Sequence, residues 1–178
     1  MSATPTNESW EERFVSGVLQ RCQRDKGVAA RLRRADNPAT EFHAWEVLAA
    51  LGVDLEREWQ RLPFATVAAA IAKAEPDGNG NLPFGRAIAA SFEDGRENDQ
   101  AKTRLRRLLA SNSIAEVCRL LRPLLSLIAS RTSQQSLDYV RLLKQLRRFQ
   151  FAAQDVKAQW AQEFYGAPEP AAYAKERS

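Results

Sequence analysis

The side chains able to do chemistry in this chain are mostly basic, and what they can do is bind phosphate. Between Ala101 and Arg148 stand eleven basic residues: Lys102, Arg104, Arg106, Arg107, Arg119, Arg122, Arg131, Arg141, Lys144, Arg147 and Arg148. Only Glu116 and Asp138 oppose them, so the segment carries +9 and the rest of the chain −5. A second cluster, Arg21 to Arg34, has six basic residues and one acid. Arginine outnumbers lysine throughout. Its planar fork suits phosphate oxygens, and such contacts hold a backbone without reading bases. A +9 segment repels itself unless something acidic covers it, and a polyanion does so with strong salt dependence.

Other chemistry is poorly supplied. His43 is the only histidine, beside Phe42 and Trp45 on a helical segment, and is not expected to act as a catalyst. One His and two Cys fall short of the four or so ligands of a zinc site. Asp77-Gly78-Asn79-Gly80-Asn81 opens like a calcium loop but has no acceptor at its twelfth position, so it reads as a turn. There is no phosphate-binding glycine loop, nucleophile elbow or carboxylate pair. We expect no catalytic residue, no metal, no cofactor and no enzymatic activity. Trp10, Trp45, Trp59 and Trp160 occupy apolar helical positions and are read as core.

The elements that must position the arginines are helical nearly throughout, and an all-α fold of eight to nine helices is expected. Ser9-Trp10-Glu11-Glu12 is a capping box opening a helix to about Arg24. A short Arg-rich helix covers Lys26 to Ala35. Asn37-Pro38 starts another that ends at Gly52, and a turn at Leu55–Arg61 precedes a helix from Pro63. Pro76 to Asn81 is the strongest turn signal, and Pro83 begins the next helix. The polar stretch Glu93–Gln100 divides two helical subdomains, 1–96 and 97–166, with a disordered tail at 167–178. The second subdomain holds helices near Asp99–Ser111, Ser113–Ser130, Ser133–Phe149 and Gln154–Tyr165, with Pro123 expected to kink the second.

At 100° per residue, Tyr139, Leu142, Leu143, Leu146 and Phe149 share one side of their helix, and Arg141, Lys144 and Arg148 form a stripe about 150° away. Arg119 and Arg122 lie off the apolar face of the preceding helix. The chain starts without a basic and apolar leader and has no window near ~18 apolar residues, so a cytoplasmic protein with no membrane contact is expected. Cys22 and Cys118 are expected to be buried free thiols. Besides nucleic acid, a basic face on a helical scaffold could dock an acidic protein partner.

Several of these segments, taken in order, resemble a known family. They are Val28-Ala29-Ala30-Arg31-Leu32-Arg33-Arg34-Ala35, Gly85-Arg86-Ala87-Ile88-Ala89, Thr103-Arg104-Leu105-Arg106-Arg107-Leu108-Leu109, Arg119-Leu120-Leu121-Arg122 and Val156 to Tyr165. Over Trp10 to Tyr165 the chain resembles the CasB family, the small subunit of the type I-E CRISPR Cascade complex. The resemblance implies an all-helical, two-subdomain protein without enzymatic activity. It also implies a head-to-tail pair that bridges the large subunit and the crRNA-bound backbone subunits, with a basic groove holding the displaced non-target DNA strand. Arg33, Arg34 and Arg122 match basic family positions implicated in nucleic-acid contact, and Lys144 lies where the family is also basic. Arg104, Arg107, Arg119, Arg141 and Arg148 are added from helical geometry. Where the family has a Lys/Arg-rich stretch before the last helix, this chain has Gln150-Phe151-Ala152-Ala153-Gln154, with Arg147 and Arg148 nearest to take its place.

Overall fold

The computed structural model describes residues 7–132 and 134–167. The tail expected at 167–178 lies, from 168 onward, outside them. Helix α1 (Trp10–Arg24) opens on the expected capping box: the Ser9 hydroxyl accepts from the Glu12 amide, and the Glu12 carboxylate accepts from the Ser9 amide. Asp25 closes α1 and caps α2 (Lys26–Arg33), accepting from the amides of Gly27 and Val28. The segment expected as one helix from Asn37 to Gly52 is instead a turn, a 3-10 helix over Glu41–Ala44 and the short α3 (Trp45–Ala50). Asn37 spends its side chain on a local turn, accepting from the Ala39 amide, so the helix begins later.

Helix α4 (Glu58–Ala74) is the axis of the molecule. It starts before Pro63, which sits inside it, and buries every residue from Pro63 to Ala69 as well as Ile71 and Ala72. A helix apolar on all sides has to be surrounded, and α4 packs against α1, α2, α7 (Ile114–Arg131) and α8 (Tyr139–Tyr165). One core cluster runs from Phe14 in α1 to Phe164 in α8, so both sides of the expected 96/97 boundary contribute to it. Helix α7 runs unbroken through Pro123. Helices α5 (Phe84–Ala90) and α6 (Asp99–Ala110) flank the polar stretch, and α6 is capped by Asn98.

Two close approaches fix the other parts. A Cβ on Gly80 would fall 1.8 Å from the Ser136 carbonyl oxygen. Only glycine lets the turn after Pro76 lie against the strand of chain entering α8, where the Gly80 amide donates to Leu137 and the Leu82 amide to Ser136. Asn79 then caps α8 from 60 residues away, its Oδ1 accepting from the amides of Tyr139 (2.8 Å) and Val140. A Cβ on Gly85 would meet the Trp160 carbonyl at 2.4 Å, which is how α5 comes so near the end of α8.

Helix α8 was expected as two helices, and it does fold back on itself at Ala152 (φ −143°, ψ 51°). Its first half begins at Tyr139; Ser133, where that helix was expected to start, lies outside the described residues. Across the bend Gln145 donates to Gln159 and Glu163, Trp160 Nε1 donates to Gln145 (2.9 Å), and Phe149 stacks on Trp160. Phe151 at the bend is 75% exposed, with its ring set edge-on to Trp59. Of the four tryptophans read as core, Trp160 is fully buried, Trp10 and Trp59 are partly covered, and Trp45 is exposed. Cys118 is buried, and burial pushes its thiol up to about 11; Cys22 is only half-buried. No helix among the described residues is long and apolar enough to cross a membrane.

Candidate nucleic-acid interface

Helix α6 buries Ala101, Leu105 and Leu108, and this spacing turns Arg104, Arg106 and Arg107 outward. On α7 the buried side holds Val117, Cys118 and Leu121, and Arg119 faces solvent. Arg104 and Arg131 approach the ring of Phe92 at 5.8 and 5.5 Å. One aromatic ring therefore takes two guanidinium groups, a favourable contact for each. Arg131 also donates to the Ser91 carbonyl at the end of α5. Among the described residues, none of Arg104, Arg106, Arg107, Arg119 and Arg131 has a carboxylate oxygen within 4.0 Å, in contrast to Lys102, which reaches Glu97. Arg131 was counted in the +9 segment, but helical spacing on α7 gave no reason to group it with Arg104. Phe92, beyond the end of α5, supplies that reason.

The stripe on α8 stays on the surface, but carboxylates neutralise two of its three cations. Arg141 Nε donates to Glu163 Oε1 (2.8 Å), Arg147 pairs with Glu11 while lying over the Trp10 ring, and Arg148 reaches Asp155 at 3.9 Å. Lys144 shares a cleft of about 600 Å³ between α1 and α8 with Glu12. The Glu12 carboxyl is held below the usual carboxylate range, first by the Ser9 amide and hydroxyl and then, more weakly, by Lys144. The acids come from α1 and from the far half of α8, elements that the linear charge count placed elsewhere.

The remaining candidates fall into the fold in different ways. Arg33 donates to the Ala72 carbonyl and to Glu75 Oε1 (2.6 Å). Arg34 meets the Nε2 of His43 at 3.2 Å and has no carboxylate partner among the described residues. Arg122, expected on the solvent side, is 7% exposed. It sits 3.7 Å from Glu41, itself only 4% exposed. Glu41 Oε1 also accepts from Arg61 Nε (2.8 Å) and Trp45 Nε1 (3.1 Å). One buried carboxylate thus joins the 3-10 turn, α3, α4 and α7. The nine candidates do not form one patch: Arg104, Arg107 and Arg119 stand open on α6 and α7, Arg34 stands against an imidazole, Lys144 is exposed at the cleft it shares with Glu12, and the other four are paired or enclosed.

A family model for the CRISPR-associated protein Cse2 matches residues 28–165. No curated protein matches the chain in sequence. Among solved structures, a chain of a CRISPR RNA-guided surveillance complex is similar at 25% identity with a TM-score of 0.69, over 95% of this chain and 98% of that one. CasB from Thermus thermophilus is similar at 25% identity with a TM-score of 0.66, over 88% and 98%. CasB from Thermobifida fusca shares the fold at 18% identity, with a TM-score of 0.66 over 90% and 100%.

Proposed function

This chain belongs to the CRISPR-associated Cse2 family, and from that premise we propose that it is the non-enzymatic small subunit of a type I-E Cascade surveillance complex. In this role it holds the displaced non-target DNA strand through phosphate contacts and so favours the R-loop. It works as a head-to-tail pair between the large subunit and the crRNA-bound backbone subunits.

The observation that carries the reading is the set of outward arginines on α6 and α7 that no carboxylate neutralises among the described residues. The α8 stripe, in which Arg141 and Arg148 have carboxylate partners, lacks that property and is the weaker contact surface. Exchanging a DNA duplex for an RNA–DNA heteroduplex is nearly balanced in free energy, so a few contacts to the ejected strand suffice to tip it.

The test is the triple variant R104E/R107E/R119E, with folding checked by circular dichroism. Its single-stranded DNA binding is measured across a salt series, and R-loop formation in the assembled complex. Losing three phosphate contacts should flatten the slope of log affinity against log salt by about 2. A folded variant with unchanged slope and unchanged R-loop yield overturns the reading. Intact DNA binding with failed assembly would instead identify the basic face as the dock for an acidic protein.

A further inference from the structure

Phe42 and Trp45 are large aromatic side chains on the surface, 55% and 38% exposed. They are three residues apart across the 3-10 turn Glu41–Ala44, and in that geometry side chains at this spacing eclipse, so the two rings lie on one side. The Phe42 ring is stacked on His43 at 4.1 Å, and His43 in turn meets Arg34. Arg61 lies 5.6 Å from the Trp45 ring. The strip does not float: Trp45 is tied through its Nε1 to buried Glu41, and Glu41 is tied to Arg122 of α7. Arg34, which has no carboxylate partner among the described residues, thus stands beside the strip at its Phe42 end.

Exposed aromatic rings next to a cationic side chain that lacks an acidic partner, as Arg34 does, are the composition of a single-strand platform, in which bases stack on the rings and phosphates meet the charge. We propose that Phe42 and Trp45 form a base-stacking platform for single-stranded nucleic acid, with Arg34 taking a flanking phosphate. The inference rests on the reading of the chain as a nucleic-acid-binding subunit and adds to it a contact with bases. Because every base has a π-face, the platform grips without sequence preference. Duplex DNA keeps its bases stacked and cannot use it, so the site selects the displaced strand over the unopened target.

The experiment separates stacking from charge. A short oligo-thymidylate is bound to the full-length protein over a salt series. F42A should weaken binding about 5- to 100-fold at every salt concentration with the slope unchanged, since stacking releases no counterions. F42W should restore it. R34A should instead flatten the slope by about 0.7. Tryptophan emission should be quenched on binding, and W45F should lose the larger part of that quenching, because Trp160 is buried and Trp10 and Trp59 are partly covered. Unchanged affinity of F42A, or quenching undiminished in W45F, overturns the platform. If R104E/R107E/R119E abolishes binding while F42A is silent, the platform fails and the phosphate surface stands. If neither variant changes binding, both fail. Intact oligonucleotide binding by F42A with impaired complex assembly would mark the strip as a protein contact and also overturn the proposal.

Discussion

Replacing Glu41 by Gln tests how the interior of this protein handles charge. The carboxylate is 5% exposed at its side chain and faces Arg61 at 2.8 Å and Arg122 at 3.7 Å, with Arg122 only 8% exposed. Nε and Nη2 of Arg122 have no hydrogen-bond partner, so the Glu41 charge is the main compensation that guanidinium has. Removing one partner of a buried pair strands the other, at a cost of about 3–5 kcal/mol. Arg61 is 21% exposed and can turn toward water, so its share is small and the lower end of that range applies. For a chain of this size about 3 kcal/mol lowers Tm by roughly 6–12 °C. Thermal and urea denaturation of E41Q would measure it, with E46Q as control: the Arg31–Glu46 pair is 40% and 83% exposed, and its loss should cost less than about 1 kcal/mol. E41Q/R122M should recover more than half of the loss, because the stranded charge is gone. If E41Q behaves like E46Q, the buried pair contributes nothing. If the double variant is no more stable than E41Q, the cost lies in the hydrogen bonds of Trp45 and Arg61 and the charge argument fails.

Gly80→Ala places a Cβ against the Ser136 carbonyl and should cost about 1–3 kcal/mol in urea unfolding, while Gly78→Ala, with open space around it, should cost far less. The structure also dictates an alkaline limit. Burial raises Tyr139 from 10.0 to about 12 and Cys118 from 9.0 to about 11. A raised acid leaves stability intact below its unfolded value and loses it as pH climbs to the folded one. Unfolding free energy should therefore hold up to about pH 9 and fall steeply from there to pH 12, and Tyr139→Phe should remove the upper part of that fall.

The helical frame was legible because its signals are local. The Ser9 capping box, the apolar spacing of α6 and α7 and the interruption between Phe149 and Gln154 all concern residues within a turn or two of each other. The 3-10 turn before α3 and the early start of α4 were not readable, since Asn37 competes for the backbone and tertiary packing tolerates Pro63 inside a helix. The candidate site was legible in composition and illegible in pairing. Counting charges along Ala101–Arg148 found the arginines, yet Glu11, Glu12 and Glu163 reach the α8 stripe only after folding. Arg122 was misplaced for a related reason. Its helical angle is near the edge of the apolar face, and only the buried carboxylate of Glu41, 81 positions away, makes the inward side habitable.

The fold-back of α8 at Ala152 also sets an order of events. Its contacts join residues 14 to 22 apart, whereas the clip that holds its first turn joins residues 58 to 61 apart. Short loops close at lower entropic cost, so when the whole chain refolds the two arms of α8 should meet before Asn79 caps them. The arm that carries Trp160 and Phe164 comes late in the chain, and until it is synthesised Phe84 and Phe149 lack the ring that packs against them. A chain cut off at the bend should therefore be a poor folding intermediate and a good chaperone or protease substrate. The surfaces that face solvent in the finished protein become dependable only once the final helical arm has docked.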